Sequence, residues 1–226
     1  MIEIIPTYVP RDAADLARGG DMIRSFASAV HVDVDDGVFA TPFTWPYSKQ
    51  GIFESFDLSA LAALDIEAHL MVEEPRDLGV AFARAGASRI IGHIEGFADS
   101  NEARAALEAW KGAGASEVGL GLLFVTPFEV IEPLVPYCNC VHMMSIATIG
   151  TQGIPYNANA PARIAEFHAR FPDMTISVDG GVAASNIADL VRAGAMRFGV
   201  GSAITKADDP AAAYNKLKVL AENALE

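Results

Sequence analysis

Residues 30 to 35 read Val-His-Val-Asp-Val-Asp. The period of two puts Val30, Val32 and Val34 on one face of a strand and His31, Asp33 and Asp35 on the other. The apolar face has to meet a layer of helices. The His/Asp row must then point into a barrel interior or a cleft, where charge is costly unless it is paired or bound to a metal. Asp36-Gly37 closes this strand, 30–36, with a turn pair. Further apolar runs of strand length occupy 2–9, 66–72, 89–95, 117–125, 140–146, 175–182 and 197–204. Apolar residues at helical spacing are clearest over 101–111, 160–171, 185–192 and 210–225. Residues 37–51, with Pro42, Trp45, Pro46 and Tyr47, are too rich in proline and aromatics for a helix and read as a long loop able to cover a site.

Three echoes set the architecture: RAGASRI at 84–90, GAGASEV at 112–118 and RAGAMRF at 192–198. Each reads as a helix end with Gly just beyond it, a short link, then a strand. Gly86 and Gly114 are 28 residues apart, and Gly194 follows Gly114 after 80, close to three such periods. A chain of 226 residues holds about eight of these units, which predicts a single (β/α)8 TIM barrel over 1–226.

Composition supports a large core. The hydrophobic fraction is 51% and the mean hydropathy +0.26, as expected for strands buried on both faces. No apolar run approaches the roughly 18 residues of a membrane span, and the N-terminal sequence shows no export signal. Cys138 and Cys140 flank a single residue and cannot make a disulfide framework, so a reducing, cytoplasmic setting is expected. With 29 acidic against 16 basic residues the net charge is −13. Such a field repels nucleic acid and anionic membranes, and an anionic ligand has to be held locally.

In barrels of this kind the catalytic groups sit at the C-terminal strand ends. Ionisable residues gather there on the second, third, fourth and seventh strands, and glycines on the seventh and eighth. His31, Asp33, His69 and Asp179 form a mixed N/O set suited to a divalent cation such as Zn, Mn, Fe or Co. Alone, His69 reads more readily as a core histidine and Asp179-Gly180-Gly181 as a tight turn; the shared end of the barrel is what makes them one site. Gly180, Gly181, Gly201 and Ser202 suit a phosphate held by backbone amides, with Ser185 and Asp208 or Asp209 as candidate helix caps and Lys206 as the one nearby cation. Met71 and Met144 read as apolar walls. His142, one strand period before Met144, reads as a deeper core residue. No strand carries a lysine suited to a Schiff base, and neither a nucleophile elbow nor a dinucleotide fingerprint is present.

These residues resemble the ribulose-phosphate 3-epimerase family. The matching segments are HVDVDDG at 31–37, HLMV at 69–72, His93-Ile94-Glu95, Thr126-Pro127, VDGGV at 178–182 and VGSAI at 200–204. The resemblance implies that His31, Asp33, His69 and Asp179 bind one divalent metal and that Asp33 and Asp179 act as acid and base on opposite faces of a sugar. It also implies a ketose phosphate bound by Thr7, His69, Met71, Met144, Gly150, Gly180, Gly181, Gly201 and Ser202, and association into a homo-oligomer. Three departures mark a divergent branch. Asp35 stands where the family usually has methionine, a candidate for specificity. Residues 147–153 replace a Gly-rich phosphate loop, and Pro6-Thr7 and Ala40-Thr41-Pro42 replace the family's usual residues. The expected activity is metal-dependent inversion at C3 of a ketose phosphate through an enediolate. A metal-dependent lyase on a sugar phosphate and a non-catalytic sugar-phosphate-binding barrel are the alternatives.

Overall fold

The alternating stretch is a strand, Ala29–Asp35, buried along its whole length. The computed structural model describes residues 2–150 and 154–225, and places this strand in a closed barrel of eight parallel strands. In chain order they are β1 (Glu3–Tyr8), β2 (Ala29–Asp35), β3 (Asp65–Met71), β4 (Arg89–His93), β5 (Glu117–Leu122), β6 (Cys140–Met144), β7 (Thr175–Asp179) and β8 (Arg197–Val200). Each pairs with the next, and β8 returns to β1 through Glu3–Arg197. This is the expected TIM barrel.

The helices are α1 (Ala13–Ile23), α2 (Arg76–Ala85), α3 (Ser100–Ala113), α4 (Ala160–Arg170), α5 (Ile187–Arg192), a one-turn α6 (Ser202–Thr205) and α7 (Pro210–Asn223). Their ends follow local chemistry. Asp12, Asp99 and Asp209 accept backbone N–H groups at the starts of α1, α3 and α7, satisfying donors that have no partner inside the helix. Gly86, Gly114 and Gly194 follow helices with φ of 111°, 121° and 110°, as the echoes predicted. Ser185 is no cap: α5 starts at Ile187, and it is Asn186 Oδ1 that accepts the Ala183 N–H. Between Asp208 and Asp209 the cap is Asp209.

Two connections depart from the simple repeat. Between β2 and β3 lie a small hairpin, Tyr47–Lys49 with Ile52–Phe53, and a 3-10 turn, Ser59–Leu61. Between β5 and β6 lie two 3-10 turns, Phe128–Val130 and Glu132–Tyr137. Pro127, Pro133 and Pro136 remove the N–H groups an α-helix would need there. The strands expected over 89–95, 117–125, 140–146, 175–182 and 197–204 end two to four residues early. Apolar residues such as Ile94, Ile146 and Val182 continue the run, but they pack in the loops around the barrel mouth.

Alternation sorts the barrel. Outward residues such as Val30, Val32, Val34, Ile66, Ala68, Leu70, Ile176 and Val178 join the large core beneath the helices. The inward rows are unusually polar, with His31, Glu67, His69, His93, His142 and Ser177 all at 1% exposure or less. At the N-terminal end, Glu3, Glu117, Arg89 and Arg197 form an ion-pair network: Arg197 lies 2.9 Å from Glu3 and 2.8 Å from Glu117, and Arg89 lies 2.7 Å from Glu3. Such a plug belongs to stability, which leaves the C-terminal mouth for function. Among the described residues no helix is long and apolar enough to cross a membrane.

Candidate active site

The C-terminal mouth opens on a cavity of about 270 Å³, whose polar lining is Thr7, Asp33, Asp35, Asp179 and Ser202 together with the backbone of Gly150, Gly180, Gly181 and Gly201. Met71, Met144, Ile146, Ile149, Ile154 and Tyr156 supply its apolar walls. Every residue assigned from the sequence to substrate or phosphate lines this cavity except His69. Gly180 and Gly181 adopt φ of 103° and 70°, a backbone that only glycine enters without strain and that lets a ligand approach closely. Lys206 is not part of the lining.

His31 and His69 lie just below the floor, fully buried. The register of β2 on β3 sets Asp33 beside His69 and His31 beside Glu67. Asp33 Oδ1 thereby stands 3.0 Å from His31 Nε2 and 2.8 Å from His69 Nδ1, while His31 Nδ1 is 2.7 Å from Glu67 Oε1. His69 Nε2 in turn faces His93 Nε2 at 2.9 Å, and His93 Nδ1 faces Glu95 at 3.3 Å. Glu95 also accepts the Leu123 N–H and the Thr126 hydroxyl. His31, His69 and Asp179 each bring a donor atom to one cluster, and Asp33 lies beside both imidazoles.

The electrostatics split the carboxylates. Burial alone would raise the Asp33 pKa, but hydrogen bonds from His31 and His69 outweigh it and hold the group below its ordinary range. Asp179 is pushed up, first by burial and then by the charge of Asp33. Burial followed by Asp33 and Asp36 pushes Asp35 up to about 8, and neither of its carboxylate oxygens has a hydrogen-bond partner. Burial would lower the His31 pKa, yet hydrogen bonds to Asp33 and Glu67 raise it well above the usual value.

One donor atom each from His31, His69, His142 and Asp179 lies within 4.8 Å of the others. Asp33 Oδ1 is within 3.0 Å of two of these imidazoles. Imidazole and carboxylate donors gathered this tightly fit a divalent transition-metal ion. Three contributors were not legible as site residues. Glu67 and His142 each lie one strand period before a recognised residue, His69 and Met144, a spacing that could have flagged them. Tyr156 reaches the cavity from outside any barrel strand, in an isolated bridge with Ile146, and carries no local signal. The remainder of the divergent loop, 151–153, lies outside the described residues.

Comparison with known proteins bears on the family. The ribulose-phosphate 3 epimerase family profile matches residues 4–205. The cytoplasmic isoform of ribulose-phosphate 3-epimerase from Oryza sativa subsp. japonica is 31% identical over 219 residues, covering 96% of this chain and 92% of the relative. The Aquifex aeolicus ribulose-phosphate 3-epimerase is 34% identical over 201 residues, covering 88% and 86%. Among solved structures, KGPDC from Streptococcus mutans superposes with a TM-score of 0.71 at 13% identity, covering both chains completely. A 3-hexulose-6-phosphate synthase gives 0.67 at 18% identity, covering 97% of this chain and 99% of the other. At these identities the structural likeness speaks for the barrel alone. The match of sequence over nearly all of the barrel, together with the histidines and aspartates at its mouth, establishes that the chain belongs to the ribulose-phosphate 3 epimerase family, a family of isomerases.

Proposed function

We propose that this protein is a metal-dependent epimerase that inverts C3 of a ketose phosphate, with the pentose phosphate as the first substrate to try. The observation that carries the reading is the pair Asp33 and Asp179, which line one cavity from β2 and β7 and whose surroundings drive their proton affinities apart. Two carboxylates facing one cavity are what a two-sided proton transfer requires: one takes the C3 proton and the other returns a proton to the opposite face. Asp33 is held ionised by two imidazoles and suits the base; Asp179 retains its proton more readily and suits the acid. In the reverse direction the roles exchange.

His31, Asp33, His69 and Asp179 would hold the divalent cation, Zn, Mn, Fe or Co. Bound there, it supplies Lewis-acid stabilisation of negative charge developing on the substrate oxygens. Met71 and Met144, 3% exposed each, offer non-protic walls to a planar enediolate. Thr7, whose buried hydroxyl has no hydrogen-bond partner, and Asp35 are placed to take substrate hydroxyls, with Asp35 setting specificity. The phosphate would lie against Gly180, Gly181, Gly201 and Ser202, with Gly150 also in the lining; among the described residues no basic side chain lines the cavity, so backbone amides would carry that grip. Self-association belongs to the same reading, supported by the apolar Val38, Phe43, Ile52 and Phe53 exposed between β2 and β3.

The test is solvent deuterium incorporation at C3 of the ketose phosphate, with products checked for equal mass so that carbon–carbon cleavage is distinguished. Asp33→Asn and Asp179→Asn should each reduce exchange by about 10²–10⁴-fold, the range that positioned acid–base groups contribute. Exchange at the wild-type rate in either variant would overturn the assignment.

A further inference from the structure

His142 is absent from the metal set inferred from sequence, yet its surroundings are those of a ligand. It sits on the inward row of β6, fully buried, with its ring centroid 4.5 Å from that of His69 and 5.4 Å from that of His31. Its Nδ1 lies 2.9 Å from Ser177 Oγ on the neighbouring strand, where register places the two residues side by side. Its Nε2 is buried with no hydrogen-bond partner. An orphaned imidazole nitrogen in a protein interior carries an uncompensated desolvation penalty, and a leucine or methionine would fill the same space without it.

The geometry of His31 provides the comparison. Its Nδ1 is anchored by Glu67 and its Nε2 is turned to the shared centre. Metal-binding histidines are commonly oriented in this way, one ring nitrogen donating to a fixed acceptor while the other keeps its lone pair for the ion. Ser177 does for His142 what Glu67 does for His31. With Nδ1–H donating to Ser177 Oγ, the Nε2 lone pair is free.

We propose that His142 Nε2 is a third imidazole ligand of the cation held by His31, His69, Asp33 and Asp179. The proposal rests on the metal-dependent reading above and extends it. A donor set with three imidazoles favours borderline ions such as Zn and Co over the oxygen-seeking Mg.

Binding is measured directly, apart from turnover. Metal-free wild-type protein is titrated with Zn²⁺ and Co²⁺, and X-ray absorption of the Zn²⁺ form counts the imidazoles around the ion. Three imidazoles per zinc are expected in the wild type. His142→Leu and His142→Gln should show two, an altered Co²⁺ visible spectrum, and affinity lower by about 10–100-fold, the loss that even an outer partner of a metal ligand produces. Two imidazoles in the wild type would overturn the proposal while leaving the metal site standing, and no variant has to fold for that result to be decisive. Unchanged affinity and spectrum in both variants would do the same. Wild-type protein that takes up no cation would overturn this proposal together with the metal dependence on which it rests.

Discussion

Glu67 shows how much a single residue decides at the floor of the site. Buried at 1% exposure, it takes the Nδ1–H of His31 through Oε1 while its Oε2 lies 3.5 Å from Arg197 and 3.9 Å from Arg89. It therefore ties His31 to the ion-pair plug of the barrel. Burial would raise its pKa, but the hydrogen bond with His31 together with the charges of His31, Arg197 and Arg89 outweighs that penalty and lowers it, so it acts as a fixed negative charge. Glu67→Gln retains the shape but removes that charge. Cation affinity should fall by about 10–100-fold, read by titration of the metal-free protein; wild-type affinity would show that His31 needs no charged anchor.

Among the elements, α2 and α3 meet at a contact that helix propensity alone would misjudge. Alanine for glycine in a helix interior ordinarily gains about 1 kcal/mol. At Gly79, however, a Cβ would lie 2.2 Å from Trp110 Nε1, whose N–H donates to Arg76 O at 2.9 Å. Trp110 ends the buried stripe Ala103, Ala106, Leu107 and Trp110 and is fully buried. Gly79→Ala should therefore destabilise by about 1–3 kcal/mol, the usual cost of overpacking, measured by denaturant unfolding. The first turn of α1 gives a pH-dependent case. Asp15 accepts from Arg11, Arg18 and Tyr8, and the Arg11 hydrogen bond chiefly holds its carboxyl well below the usual range. A depressed carboxylate stabilises fully above its unfolded pKa, and that stability is lost as pH falls through the folded value. Asp15→Asn should cost about 1–3 kcal/mol at pH 7, and the gap between variant and wild type should narrow as pH falls below about 4. A constant gap across that range would separate the loss from Asp15 ionisation.

At the scale of the whole molecule, a cation bound as proposed would join residues from β2, β3, β6 and β7, which are far apart in the chain. A ligand that binds only the folded state stabilises it by mass action, about 2.7 kcal/mol at a hundred times the Kd. For a chain of this size that corresponds to a rise of roughly 5–10 °C in Tm. Adding Zn²⁺ or Co²⁺ to metal-free protein should produce that rise and a chelator should reverse it; a Tm indifferent to both would count against a cation site.

The barrel itself was readable from local pattern. The alternation at 30–35 and the helix-ending glycines are properties of a few neighbouring residues, and they fix strands, helix ends and the inward row without reference to anything distant, whereas the caps Asp12 and Asp99 were not singled out and Ser185 was wrongly so. For the same reason His31, Asp33, His69 and Asp179 could be picked out as strand-end chemistry. Local pattern could not show that strands stop early, because an apolar residue in a packed loop looks like one in a strand. Nor could it show that prolines turn the β5–β6 connection into 3-10 turns rather than a helix. Which interior side chains share one point depends on the register of strands across the closed sheet, and only the folded barrel decides that: it brings His142 beside His31 and His69, sets Glu67 against His31, and carries Tyr156 to the rim of the cavity.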